Sequence, residues 1–357
     1  MFEPRCCPYR DCPRHIDLEP DFYVRHGTYH PRCRPHPVQR FRCRTCERTF
    51  SRQTFRADYR DKKPHLNADV LESFSCGVGI RQTARTLGMS RRCLELKLRK
   101  ICRHLTHFNL NQRGQLSGEA TFVFDELETY EGQRNTRPVT VPVLVEAESR
   151  FIVWAESATI RPSGKMTEKR KKAVKRSEAR HGRRVNRHRG AVRRTLLRGA
   201  EMVEGLEVVT LLTDEKSTYP ALAREAFGRE RLVHKRTNST VARTTWNPLF
   251  PVNHEEAIMR DLMGRLRRES WLVSKERGYL DLALQLHMAY RNYVRKRFNT
   301  DRDDQVGSPA QKLGFLPRRL TLREVLSWPQ DWGDRSVYPL SRTGRTVGEV
   351  AMALAAA

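Results

Sequence analysis

The chain has 357 residues, enough for two or more domains with separate cores. Its 68 Lys and Arg against 41 Asp and Glu leave a formal charge of +27, and an excess of that size points to a phosphate-rich partner, because basic side chains that displace condensed counterions from DNA gain entropy. No run of about 18 apolar residues is present, which argues against a membrane-spanning helix, and the opening MFEPRCCPYR lacks the apolar core of a secretory signal.

A cytoplasmic, nucleoid-associated location is therefore expected. Thiols in a reducing compartment are more often metal ligands than disulfides. Cys6, Cys7, Cys12, Cys33, Cys43 and Cys46 all fall near the start of the chain. Cys7-Pro-Tyr-Arg-Asp-Cys12-Pro and Cys43-Arg-Thr-Cys46 form two short knuckles. Four thiolates so spaced can surround a structural Zn2+ tetrahedrally, and a small domain with little core needs the metal to fold. Cys6 is an alternative to Cys7, and Cys33 has no partner knuckle. Alternation around Phe41 and Phe50 suggests a ribbon hairpin, so residues 1–56 are expected to be a zinc ribbon.

Residues 60–116 are expected to be a helical DNA-binding domain. From Ile80 to Leu98 the pattern is that of a helix-turn-helix. Ala84 is small enough for two helices to approach, Gly88 permits the turn, and Ser90 can cap the second helix. Arg91 and Arg92 then open the helix that would meet base edges and phosphates. Arg81 and Lys97 join them as candidate DNA contacts.

After a Gly-rich turn at residues 114–118, short apolar runs at residues 121–124, 139–145 and 151–155 read as strands, the last two as a hairpin. A further strand is expected at residues 208–212, a helix at 218–227, a short strand at 232–234, and helices at 253–271 and 278–298. Three strands, then helix, strand, helix, strand, helix is the order of an RNase H-like α/β core with a mixed sheet, here over residues 117–300. A basic insert at residues 162–200 interrupts it and reads as a DNA-tracking helix or as an arm that orders on phosphate. Residues 301–357 form a tail of no legible purpose.

Two of these strands end in acids, at Asp125-Glu126 and Asp214-Glu215. An apolar strand ending in a carboxylate is costly unless the acid binds a cation or caps a helix. Two such carboxylates side by side repel, and a divalent ion removes the repulsion.

At this point the residues resemble a family, the DDE-type insertion-sequence transposases with an N-terminal zinc ribbon and helix-turn-helix. The matching stretches are the two cysteine knuckles, residues 79–88, Phe124-Asp125-Glu126 with Tyr130-Glu131-Gly132, Leu212-Thr213-Asp214 with Tyr219, and residues 253–275 with Arg260, Arg265 to Arg268 and Ser274-Lys275. The resemblance implies that Asp125 and Asp214 are the first two ligands of catalytic Mg2+ or Mn2+. The family's third ligand is usually Glu, with a Lys or Arg seven residues later. Here Arg260 is preceded at that spacing by Asn253, whose amide oxygen can ligate magnesium. Glu255 and Glu256 stand five and four residues before Arg260 instead. The implied activity is metal-assisted cleavage of phosphodiesters at element ends and joining of the 3′-hydroxyls to target DNA. The implied partners are double-stranded DNA and a second copy of the chain, as a homodimer or larger synaptic assembly. The rival expectation is a descendant that binds DNA without cutting it.

Overall fold

The computed structural model describes residues 2–328 other than 10, 16, 18, 33–34, 239, 268–269 and 302–306. Cys33, Arg268 and the tail from 329 onward lie outside the described residues. No helix among them is long and apolar enough to cross a membrane.

The N-terminal segment is a three-stranded antiparallel sheet of β1 (Tyr23–Tyr29), β2 (Val38–Cys43) and β3 (Thr49–Ser51). β2 and β3 pair Phe41 with Phe50, and those rings pack with Phe22 and Phe55 into a small aromatic core beside the buried cysteines. So few residues bury little apolar area, which leaves room for a metal crosslink to contribute.

Three helices follow: α1 (Asn67–Ser75), α2 (Ile80–Thr86) and α3 (Arg91–Asn111). Gly88 adopts φ 58°, a left-handed conformation that costs a residue with a Cβ, and the Ser90 hydroxyl accepts from Cys93 N at 3.2 Å. At 21 residues α3 spans about 30 Å. Its first half packs on α1 and α2, whereas Leu105 and Phe108 join one continuous core with Phe122, Phe124, Leu282 and Tyr293. The helical segment thus shares its core with the sheet rather than closing on its own.

The larger sheet is mixed. β4 (Ala120–Tyr130), β5 (Pro138–Glu146) and β6 (Ile152–Ala155) are antiparallel neighbours, and β7 (Ala158–Thr159) adds two residues to β5. After α4 (Glu168–His181) and α5 (His188–Ala200), β8 (Val209–Asp214) pairs parallel to β4. α6 (Tyr219–Phe227) then leads to β9 (Leu232–Thr237), parallel to β8. The spatial order is β6-β5-β4-β8-β9. α7 (Phe250–Leu262) and α8 (Arg277–Ala289) come next, then a π turn at Tyr290–Val294, α9 (Pro309–Lys312) and α10 (Leu322–Ser327).

Alternation along the strands sends the two sides of the sheet to different helices. Phe122, Phe124, Leu144, Val209 and Leu211 meet α5 and α6. Val123, Leu127, Val141 and Val143 meet Val252 and Met259 of α7 and Leu284 of α8.

Three expectations change. The basic insert is two things: α4 buries no residue, whereas α5 buries Ala191, Val192, Thr195, Leu196 and Gly199 against the sheet and is a core helix. The helix expected over residues 253–271 starts at Phe250 and stops at Leu262. Part of the tail is structural, since Val325 and Leu326 pack into the main core and Val325 O meets the His104 ring nitrogen at 2.8 Å.

Candidate functional site

The cysteine cluster is assembled by the ribbon turns. Cys12 N donates to Tyr9 O and Cys7 N to Arg14 O, closing the first knuckle. Cys43 ends β2, Cys43 N donates to Arg48 O, and Glu47 turns the second knuckle at φ 56°. The Sγ atoms of Cys7, Cys12, Cys43 and Cys46 all lie within 4.8 Å of one another. Cys7 and Cys46 are 3.8 Å apart, and Cys12 and Cys43 3.7 Å. A tetrahedron with Zn–S bonds of about 2.3 Å has edges of about 3.8 Å, so the set fits a structural metal such as zinc. Burial pushes the Cys7 and Cys12 thiols up. Burial acts the same way on Cys46, but hydrogen bonds from Arg48, with those from Cys43 and Cys12, together outweigh it and hold that thiol down at about 7. A bound cation would favour the thiolate at all four. Cys6 is buried but stands outside the set, which settles the choice for Cys7.

On α2 and α3, Arg81, Arg91 and Arg92 are exposed, and Arg91 pairs with Glu95 at 2.8 Å along the same helix. Lys97 is not available to DNA. It is buried, with Nζ donating to Asp61 Oδ2 at 3.0 Å, Lys63 O at 3.0 Å and Asn67 Oδ1 at 2.6 Å. An ammonium has three protons, and all are used within the chain.

The two aspartates come together, although only Asp214 ends its strand: β4 runs on to Tyr130, so Asp125 lies in mid-strand where an end was expected, because β5 stays paired to β4 as far as Pro138. The parallel ladder of β4 and β8 runs to Val123 opposite Leu212, and Asp125 and Asp214 each lie two residues further on. With a side-chain period of two, both leave the sheet on the Val123 side, on neighbouring strands about 4.8 Å apart. The Asp125 carboxyl is pushed above its usual range, first by burial and then, against a hydrogen bond from Glu126 N, by the Asp214 charge. Asp214 Oδ1 accepts from Lys216 N at 3.0 Å.

α7 covers that side of the sheet. It lies against β4 and β5 and carries Asn253, half-buried, together with Glu255, Glu256 and Arg260. Glu255 is committed elsewhere: it is fully buried and takes a two-point ion pair from Arg291, at 2.7 and 2.6 Å. Glu256 is buried and 3.4 Å from Arg260, whose side chain is largely covered. Among the described residues, the only group of three or more His, Cys, Asp or Glu ligand atoms close enough to share a metal is the cysteine tetrad.

Sequence reasoning gave no role to several neighbours. Glu126 points to the opposite side of the sheet, where Tyr219 Oη donates to it at 2.8 Å, Lys216 at 2.5 Å and Thr140 at 2.8 Å, tying the segment after β8 to β4. Arg243, exposed in the loop before α7, lowers the pKa of Asp125 through its charge. Glu131 accepts from Arg137 at 2.8 Å, Arg184 at 3.0 Å and the Arg277 backbone at 3.0 Å. Only a charge count hinted at such partners, because they come from distant parts of the chain.

No protein-family model matches the chain, and no curated protein sequence matches it.

Proposed function

We propose that the chain is a DNA-cutting and DNA-joining enzyme of the DDE insertion-sequence transposase type. The observation that carries this reading is the Asp125–Asp214 pair, two acids leaving one side of a parallel ladder with α7 laid across that side. The strand order β6-β5-β4-β8-β9, antiparallel through β4 and parallel beyond it, supports an RNase H-like core.

Asp125 and Asp214 would hold Mg2+ or Mn2+, with the Asn253 amide as third ligand. Divalent ions there would activate water or a 3′-hydroxyl and stabilise the leaving oxygen. The residues fit hard cations, since carboxylate and amide oxygens suit them and a cation would relieve the mutual repulsion that helps to raise the Asp125 pKa. Lys216 and Tyr219 would position β8 against β4 through Glu126. The zinc ribbon and the arginines Arg81, Arg91 and Arg92 would recognise the element's terminal repeats, and two ends brought together call for a dimer or larger assembly.

The second reading is a DNA-binding descendant that no longer cuts, favoured by Asn253 standing where Glu is usual. One assay decides between them. Purified chain is mixed with Mg2+ and DNA carrying the segments that flank the reading frame, which the enzyme reading expects to hold short inverted repeats. Nicking at the repeat ends and joining to a second duplex supports the enzyme. Tight binding with no cut at any metal concentration leaves the descendant.

A further inference from the structure

α4 is a 14-residue helix with no buried residue, capped by Thr167 and ended by Gly182 at φ 77°. Residues Ala173, Val174, Ser177 and Glu178 are its half-covered side, and Lys169, Lys172, Arg176 and Arg180 are all exposed. At 100° per residue these four form one stripe along the outer face, over about 16 Å. Cations three or four residues apart repel, which disfavours the helix by a few tenths of a kcal/mol per pair in water alone. A solvated helix gains nothing from such an arrangement; a polyanion laid along it reverses the sign.

The helix is also fixed in place. Arg170 Nε donates to Asn135 O in the β4–β5 hairpin at 3.3 Å. Behind the helix, Arg184 binds Glu131 at 3.0 Å and Pro138 O at 2.8 Å, and Thr159 Oγ1 donates to Val185 O at 2.7 Å. Asn135, Glu131 and Pro138 lie at the β4–β5 hairpin, beyond Tyr130, which is five residues past Asp125 on β4. The anchors thus fix the stripe at the hairpin end of β4.

We propose that the Lys169–Lys172–Arg176–Arg180 stripe is a sequence-independent docking surface for the phosphate backbone of duplex DNA, held by the Glu131–Arg184 anchor at the β4–β5 hairpin. The inference rests on the transposase reading only for the role of that DNA; the contact itself needs neither metal nor cleavage. One strand of a duplex carries a phosphate about every 3.4 Å of axis, so a row of cations about 16 Å long can face several of them, and backbone contact carries no base preference.

The test uses full-length chain and a random-sequence 30-base-pair duplex, with binding followed by fluorescence anisotropy across a series of KCl concentrations. For K169Q/K172Q/R176Q/R180Q the slope of log K against log salt should fall by about 3.6, since each of the four phosphate contacts contributes about 0.9. The charge-conserving K169R/K172R/R176K/R180K should keep the wild-type slope. An unchanged slope in the neutral variant, an equal fall in the charge-conserving one, or stripe-dependent binding to duplex RNA in preference to DNA each overturns the proposal. The two readings fail separately. A reduced slope without Mg2+-dependent cutting leaves the docking surface and removes the enzyme, while an unchanged slope with cutting does the reverse.

Discussion

Asp125 and Asp214 each stand two residues beyond the Val123–Leu212 rung of one parallel ladder, so the two carboxylates leave the same side of the sheet from adjacent strands. Their shared site gives the sharpest expectation. Asp125→Asn and Asp214→Asn should each abolish Mg2+-dependent strand transfer while leaving terminal-repeat binding nearly intact. Asn253→Ala should be severely impaired, Asn253→Glu should keep or raise activity, and Glu256→Ala should retain much of it. Strand-transfer gels beside a binding assay read all five, and full activity in either aspartate variant would sink the assignment.

The ribbon should carry one zinc per chain. Structural zinc in small domains contributes about 10–16 kcal/mol of apparent binding free energy, enough to decide whether a few aromatic rings stay folded. Metal analysis of purified protein should find one equivalent, and C43S/C46S should lose it. Zinc retained in that double variant would refute the tetrad Cys7, Cys12, Cys43 and Cys46.

Arg91 and Arg92 are exposed at the start of α3, and Lys97 is buried further along the same helix. R91A/R92A should therefore weaken terminal-repeat binding more than random-DNA binding, by about 1–3 kcal/mol for each arginine that reads a base edge. Lys97→Ala should instead lower stability by about 1–3 kcal/mol, because the Asn67 amide oxygen loses its donor and the Asp61 carboxylate loses its nearest cation, keeping Asn67 and the more distant Lys100. Equal weakening on both DNAs for the arginine pair would assign them to the phosphate backbone. A fully stable Lys97→Ala that bound repeats poorly would return Lys97 to the interface.

The Glu255–Arg291 pair joins α7 to the segment after α8 with both side chains fully buried. Removing one partner leaves an uncompensated charge in the core and costs about 3–5 kcal/mol. Glu255→Ala should thus lose activity through unfolding, seen as a lower Tm that tracks the activity loss. A variant with normal Tm and no cleavage would instead place Glu255 in the chemistry.

Asp281 gives a pH signature. It is buried on α8, accepts from Ser157 N at 2.7 Å, and burial raises its pKa to about 7 in spite of Arg277 and Ser157. A carboxyl whose folded pKa exceeds its unfolded value of about 3.9 binds its proton more tightly when folded, so stability falls as pH rises from about 4 to about 7. Asp281→Asn should flatten that part of the curve. Urea midpoints at pH 4.5 and 8 that fall equally in wild type and variant would exclude Asp281 as the source.

The cysteine spacing, the capped turn at Gly88–Ser90 and the strands that carry Asp125 and Asp214 were legible in the sequence because each depends on neighbours a few residues away, whereas the run of β4 past Asp125 to Tyr130 was not. Knuckle spacing, turn chemistry and a period of two are local properties of the chain. What the tertiary structure alone decided is which face of each element is covered. Both α4 and α5 belong to one basic stretch, yet one is exposed and the other is packed on the sheet through Val192 and Leu196. Lys97 reads like any surface lysine of a DNA-binding helix until Asp61 and Asn67 close around it. Glu255 and Asn253 stand two residues apart on α7, and Arg291, 36 residues beyond Glu255, is what commits that acid to the core. Side-chain burial and charge pairing are set by such distant neighbours, and no local pattern encodes them.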